Sequence, residues 1–350
     1  MEIKNILKDL SFHYAVSGNE SSMANILAEY FNKYCDKVEI DVFGNVIGLK
    51  KGSQPEKKFI VTSHYDEIGL MVKSIDDKGF IRFTNIGGVD AKILFAQEII
   101  IHGKKEIRGI IGAKPPHLLD KEEAGKVPEL EKLYIDTGMS AEEIKKYVSC
   151  GDFITFKPEF FELQSDQVSS KSFDNRVSVA AMLVAMDELS NVMHKSDIYF
   201  VATVQEEVRL AGAMMTSYTI NPDIGIVLDV CGGETPDAPK EKTAVCGKGP
   251  AIAKGPILDK KLTLKLIETA ITENIPHQIC IEPGTTGTEA RVLQVSRSGI
   301  PTVLISIPLK YMHTPVETIN IIDTRNCGKL VSKFILMLEK QFGEEAVLQC

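Results

Sequence analysis

The chain has 350 residues, long for one compact domain and short for three. With 40 Lys+Arg against 48 Asp+Glu, its formal net charge of −8 argues against a nucleic-acid binder, which would carry a basic face. Hydrophobic residues make up 44% and charged residues 25%, enough apolar material for a sizeable core and not the composition of a disordered chain.

Seven cysteines, none in a C-x-x-C pair, argue against a disulfide framework and against a cysteine-held structural zinc. The first 18 residues carry charges throughout and lack the apolar core of a signal peptide. No stretch approaches the roughly 18 consecutive apolar residues of a membrane span. A reducing, cytoplasmic location is expected.

Apolar periodicity predicts helices at about Lys4–Ala15 and Glu20–Tyr34, split by Ser17-Gly18. Alternating strands follow at Lys37–Phe43 and Val46–Lys50, around a Gly44-Asn45 turn. The β-branched run Phe59–Thr62, ending at Ser63-His64, reads as a strand buried on both faces. From about Met71 to Gln164 the texture changes to short alternating segments: Phe80–Asn85, Glu98–His102, Ile107–Ile111 and Asp152–Phe156. With one helical stretch at Ala141–Val148, this predicts a small barrel or sandwich. A βα rhythm then returns: a helix at Asn175–Leu189, strands at Ile198–Val204 and Ile224–Val230, and a helix at Lys260–Glu273. A strand at Gln278–Ile281, a turn at Gly284–Gly287, a helix from Glu289, a strand at Thr302–Ile307 and a helix at about Asp323–Lys340 complete it. The expected fold is α/β, a mostly parallel mixed sheet sandwiched by helices, with an inserted β-rich, barrel-like domain. Residues 1–70 and 165–350 would form the catalytic part and residues 71–164 the insertion.

In open α/β sheets, ligands bind beyond the carboxyl ends of the strands. Those ends carry His64-Tyr65-Asp66-Glu67, then Gln205-Glu206-Glu207, then Asp229, and finally a segment leading to His313. Asp174, at the start of a helix, belongs to the same edge if its preceding strand runs parallel to the others. Singly, each has a plainer explanation, such as a solvated Glu-Glu pair or an Asp N-cap. Jointly, so many carboxylates would repel one another in a cleft unless cations neutralised them. Mixed His and carboxylate donors suit Zn or Co better than Mg or Ca. Two such ions about 3.5–4 Å apart share a bridging carboxylate and clamp one water. By contrast, His117 reads as a loop histidine packed on prolines, and Gly284–Gly287 lacks the Lys of a phosphate-binding loop. Cys231, two positions from Asp229, has no basic partner in view and is expected to pack.

At HYDEIG (64–69), SFDNR (172–176), TVQEEV (203–208), VLDV (227–230) and YMHTPVE (311–317), the chain resembles the tetrahedral (TET-type) aminopeptidases, which include bacterial glutamyl aminopeptidases. Some members carry an endoglucanase label. Gly44-Asn45, GAKPPHLL (112–119) and SGIPT (298–302) extend the likeness over essentially the whole chain. The resemblance implies an exopeptidase with two divalent ions per subunit, zinc or cobalt, and a β-domain used for dimerisation. It implies that Asp174 bridges both ions, that His64 and Asp229 complete one site, and that Glu207 and His313 complete the other. Glu206 would be the general base and Asp66 the carboxylate that orients His64. Peptides with a free N-terminus would be the substrates, and family members commonly assemble twelve subunits into a hollow tetrahedron.

Departures fall near the substrate. Asn175 replaces an Asp common in relatives, and Arg209-Leu210-Ala211-Gly212, Glu289, Arg291 and Lys310 replace other usual residues. Arg209, Arg291 and Lys310 would give the pocket a positive wall favouring acidic N-terminal residues, unless Glu234 or Glu289 pairs with them. Two other classes stand beside the peptidase. A glycoside hydrolase with paired carboxylates needs neither histidine ligands nor metal, and usually relies on aromatic sugar platforms, yet the chain has no Trp. A non-catalytic scaffold of the same fold would not require every ligand and the base to be present.

Overall fold

The computed structural model describes residues 2–55, 57–118, 120 and 125–348; Leu119 of the GAKPPHLL stretch and Cys350 lie outside them. Its main sheet has eight strands in the order Lys37–Ile40, Val46–Lys50, Asp197–Thr203, Lys58–His64, Ile224–Gly232, Thr302–Leu309, Ala251–Lys254, Gln278–Ile281. The four central strands from Asp197–Thr203 to Thr302–Leu309 run parallel, so their carboxyl ends share one edge. Antiparallel pairing enters within the first hairpin, where that hairpin joins Asp197–Thr203, and where Ala251–Lys254 joins Thr302–Leu309.

Period-two alternation explains why this sheet is covered on both faces. Phe59, Val61, Ile226, Leu228, Val303 and Ile305 face one core, with the helices Ile3–Phe12, Ser21–Phe31, Phe173–Leu189, Lys260–Thr272 and Ile321–Leu348. The intervening Ile60, Val227 and Leu304 face a second core, with the helices Ala211–Ile220 and Ala290–Leu293. Phe173–Leu189 is apolar all round because it lies between sheet and helix. It meets Ile321–Leu348 at Gly328, where a Cβ would fall 2.3 Å from the Ala181 carbonyl oxygen.

A closed six-stranded barrel, in the order Gly69–Ile75, Ile81–Ile86, Tyr134–Asp136, Glu106–Gly112, Glu98–His102, Phe153–Phe156, has its own core. Ile107 and Ile111 point inward while Glu106, Arg108 and Ile110 stay exposed. Six strands escape the apolar pattern: Gly69–Ile75, Tyr134–Asp136, Phe160–Glu162, Gln167–Ser170, Ala251–Lys254 and Glu317–Asn320. The helix expected over Ala141–Val148 is confined to Ala141–Ile144. The six described cysteines are all free. Among the described residues no helix is long and apolar enough to cross a membrane.

One positional expectation is corrected. The strand before Asp174, Gln167–Ser170, does not join the main sheet; it pairs antiparallel with Phe160–Glu162 and Glu317–Asn320 in a separate three-stranded sheet. Asp174 reaches the common edge because this small sheet also carries the segment following His313.

Candidate metal centre

Each central strand delivers at least one acidic or imidazole group as it ends. Lys58–His64 ends on His64, Asp197–Thr203 runs into the short helix Glu206–Arg209, and Ile224–Gly232 carries Asp229 near its end. Thr302–Leu309 leads to His313. The two oxygens of Asp174 face different histidines: Oδ1 lies 3.2 Å from His64 Nε2 and Oδ2 lies 3.3 Å from His313 Nε2. Glu207 Oε1 stands 3.4 Å from His313 Nε2, and Glu206 Oε2 stands 3.8 Å from His64 Nε2. Donor atoms of His64, Asp174 and Glu207, and separately of His64, Glu206 and Asp229, lie within 4.8 Å of one another.

Electrostatics shows how crowded this is. Burial, reinforced by Asp229 and Glu207, pushes Glu206 up to about 9, and burial beside Asp174 pushes Asp229 up to about 8. Hydrogen bonds that His313 donates to Asp174 and Glu207 raise it to about 11. Burial opposes a charged His64, yet Glu206, Asp174 and Asp66 together hold it well above its ordinary value. Without cations, the cluster must take up protons and pair imidazolium with carboxylate. The donor set of two imidazoles and at least three carboxylates therefore fits one or two borderline divalent ions.

Support for these groups comes from behind. Asp66 Oδ1 lies 3.5 Å from His64 Nδ1, while the two Asp66 oxygens accept the backbone N–H groups of Glu206 (3.0 Å) and Glu207 (3.2 Å). His313 Nδ1–H donates to the Gly88 carbonyl at 3.0 Å, so the barrel side of the molecule orients a histidine of the cluster. Glu317, whose role sequence reasoning missed, accepts the backbone N–H groups of Asp174 (2.9 Å) and His313 (2.8 Å). Only its place four residues after His313 hinted at this. Burial beside Asp174 raises the Glu317 carboxyl well above its usual range.

A cleft of about 520 Å³ opens over the cluster, lined by Arg209 and Arg291 and also by Lys242 and Glu282, which sequence reasoning did not single out. Two of the expected wall residues lie elsewhere. Lys310 directs its ammonium to the Gln167 side chain at 3.2 Å, because its backbone pairs with Thr318 and turns it towards the small sheet. Glu289 is buried beneath the cleft, where it accepts the hydroxyls of Thr62 (2.6 Å) and Thr203. Neither Glu234 nor Glu289 neutralises the arginines: among the described residues, the side chains of Arg209, Lys242 and Arg291 make no ion pair. A larger hollow of about 700 Å³ borders Arg82 and Tyr134 on the barrel and contains none of the clustered ligand groups.

A mixed, helix-covered sheet with a histidine–carboxylate cluster at its carboxyl edge defines a hydrolase centre of the metal-dependent kind. The family model for M42 glutamyl aminopeptidase matches residues 44–330, and the chain belongs to that family. A lysyl aminopeptidase of Pyrococcus furiosus is 36% identical over 336 residues, covering 94% of this chain and 96% of its own. An aminopeptidase from Desulfurococcus kamchatkensis has a matching structure, with TM-score 0.90, 38% identity, and 95% and 94% of the two chains covered. The TET1 peptidase of Pyrococcus horikoshii, which can assemble into a tetrahedron or a large octahedral shell, matches with TM-score 0.84 at 30% identity, covering 95% of this chain and 99% of its own. The chain is thus an enzyme, an aminopeptidase, and its metal dependence is that of its family.

Proposed function

We propose that this aminopeptidase works by a dinuclear-metal mechanism with Glu206 as general base. Asp174 would bridge the two ions, His64 and Asp229 would complete one site, and Glu207 and His313 the other. The observation that carries this reading is Asp174 itself, whose two oxygens are each within 3.3 Å of a different histidine. Zinc or cobalt is the expected pair; when bound, the ions lower the pKa of water towards ~7 and polarise the scissile carbonyl.

The protein's own groups do the rest. Glu206, beside His64 and Asp229 yet tied to neither by a hydrogen bond, is free to take a proton from water and return it to the leaving amine. Asp66 holds Glu206 and Glu207 by their backbone, so one side chain can serve as base while its neighbour serves as ligand. The free α-amine of a peptide would settle against the carboxylates at the floor of the cleft, which restricts cleavage to the first residue. Beyond the clustered carboxylates at the floor, the wall carries Arg209, Lys242 and Arg291 against Glu282, a balance that favours a substrate with an acidic first side chain.

Residues 71–164 would act as an inserted unit for dimerisation. The relative that assembles into a tetrahedron or a large octahedral shell supports a homo-oligomer; a dimer would be the building block, and a tetrahedral dodecamer is one assembly it could build. A cytoplasmic location is consistent with free cysteines throughout the described chain.

Chelation tests the mechanism. EDTA should abolish peptidase activity and Zn²⁺ or Co²⁺ should restore it, with two ions per chain at full activity. Full turnover by the metal-free protein would overturn the reading and favour carboxylate-only chemistry of the glycosidase type.

A further inference from the structure

The helix that carries Glu206 and Glu207 is only four residues long, Glu206–Arg209, and it lacks a cap of its own. Gln205 precedes it in a left-handed conformation, with φ at 57°, and supplies no side-chain hydrogen bond to the first turn. The first N–H groups of a helix need acceptors, particularly when partly buried. Here the acceptors come from a different part of the chain, the two oxygens of Asp66. The backbone of Gln205 in turn hydrogen-bonds the Glu20 carboxylate.

Asp66 alone does not fix this arrangement, because a carboxylate rotates about its last side-chain bond. Rotation towards His64, already 3.5 Å from Oδ1, would take both oxygens off the helix. Ser17 opposes that rotation. Its hydroxyl donates a hydrogen bond to Asp66 Oδ2, and both groups are almost wholly buried. Ser17 is itself anchored, since its N–H donates to the Glu67 carbonyl at 3.2 Å and the Glu67 N–H donates to the Ala15 carbonyl at 2.9 Å. Val16 and Glu67 thereby form a parallel bridge. The Ser17-Gly18 break between the first two helices is therefore more than a turn, because it brings a hydroxyl to the rear of the metal cluster.

We infer that Ser17 is a positioning residue for Glu206 and Glu207, acting through Asp66 to hold the backbone from which base and ligand diverge. The inference rests on the reading of Glu206 as general base. It assigns a role in turnover to the segment 15–20, which touches none of the clustered ligand groups directly.

The test compares the metal-replete enzyme with its Ser17→Ala and Ser17→Thr variants, each also in an Asp66→Asn background. Ser17→Ala should lower kcat on a chromogenic aminoacyl substrate roughly tenfold, as the loss of a supporting hydrogen bond commonly does, with KM within twofold and metal stoichiometry unchanged. Ser17→Thr, which retains the hydroxyl, should restore most of that loss. In the Asp66→Asn background the Ser17→Ala effect should largely vanish, since the two groups act as a unit. A role confined to stability would instead leave kcat unchanged in the folded fraction, or give losses that simply add. If Ser17→Ala does not fold, Ser17→Cys keeps the volume with a weaker donor and should shift kcat in the same direction. Wild-type kcat in Ser17→Ala, or in Ser17→Cys should it replace the alanine variant, overturns the inference. It leaves the general-base reading intact provided Glu206→Gln is inactive. Full turnover by Glu206→Gln removes that reading, whatever Ser17 does.

Discussion

Glu67 and Arg176 form an ion pair wholly inside the protein, with Arg176 Nη2 2.9 Å from Glu67 Oε1. The Lys171 ammonium reaches the other Glu67 oxygen at 2.6 Å, and Ser172 donates to that same oxygen. Arg176 also donates to the carbonyls of Leu10 (2.7 Å), His13 and Tyr65 (3.4 Å). The triad joins the N-terminal segment to the neighbours of Asp66 and Asp174. Glu67→Gln would leave two buried cations without their anion and should cost about 3–5 kcal/mol, read as a lower denaturation midpoint.

The same triad sets an acid limit. Burial opposes ionisation of Glu67, but Arg176 and Lys171 overcome it and hold the carboxyl at about 2, below its ordinary 4.5. Because the folded carboxyl binds a proton less readily than the unfolded one, its stabilisation is complete above pH 4.5 and disappears as pH falls to about 2. A shift of that size corresponds to about 3 kcal/mol. Burial pulls Lys171 the other way, down to about 8, so the intact triad adds little net stability at neutral pH although its rupture is costly. Denaturation midpoints measured from pH 7 to pH 3 should fall more steeply in the wild type than in Glu67→Gln. Parallel curves would assign the acid sensitivity to other groups.

These contacts also mark what one dimension reveals. His64, Glu206, Glu207, Asp229 and His313 were legible because each closely follows, or ends, an apolar β-branched run, and parallel strands bring such positions to one edge. Asp174 was legible as a helix start, while its three-stranded sheet was not, since Gln167–Ser170 is short and mostly polar. The internal contacts of Glu67, Lys171 and Glu317 could not be read in advance, because pairing across more than a hundred residues leaves no local pattern. Glu289 and Lys310 were misplaced for a related reason. Proximity to a loop in sequence does not say whether a side chain lines the cleft or supports it from below.

Glu206→Gln separates binding from chemistry. The amide keeps the shape and the backbone contacts to Asp66 but takes up no proton, so both ions should be retained while turnover falls by roughly a hundredfold to ten-thousandfold. Metal analysis alongside kcat checks both halves. Retained turnover would remove Glu206 from the base role.

Glu289 is expected to act on the substrate wall from beneath. It accepts hydroxyls from the ends of two adjacent strands, and Thr286 and Thr288, just before it, flank the cleft. Glu289→Ala removes both acceptors and leaves a void, at about 2–4 kcal/mol, and should raise KM through a loosened wall. Glu289→Gln still accepts one hydroxyl and should lose less than about half as much. Thermal midpoints and KM for the three proteins decide the point.

Gly88 stands where a side chain would collide with the centre. A Cβ there would lie 2.9 Å from His313 Nδ1, the nitrogen that donates to the Gly88 carbonyl. Gly88→Ala should turn His313 away and weaken metal retention about tenfold or more, with little change in fold. Titration of the apoprotein with Co²⁺, followed by absorbance, measures this; an unchanged affinity would place the orientation of His313 with Glu317 alone.

The unpaired cations of the cleft give the last expectation. Arg209, Lys242 and Arg291 face the clustered carboxylates with only Glu282 to offset them along the wall. Each of these cations near a bound carboxylate should improve kcat/KM several-fold, and the gain should shrink with salt because the cleft is open to solvent. Glutamyl-p-nitroanilide should therefore be cleaved faster than the leucyl and lysyl compounds at low ionic strength. Arg291→Gln and Arg209→Gln should each erode that preference about three- to tenfold, mainly through KM, and leave the leucyl rate nearly unchanged. Preference for the lysyl compound would mean that Glu282, rather than the arginines, meets the first side chain.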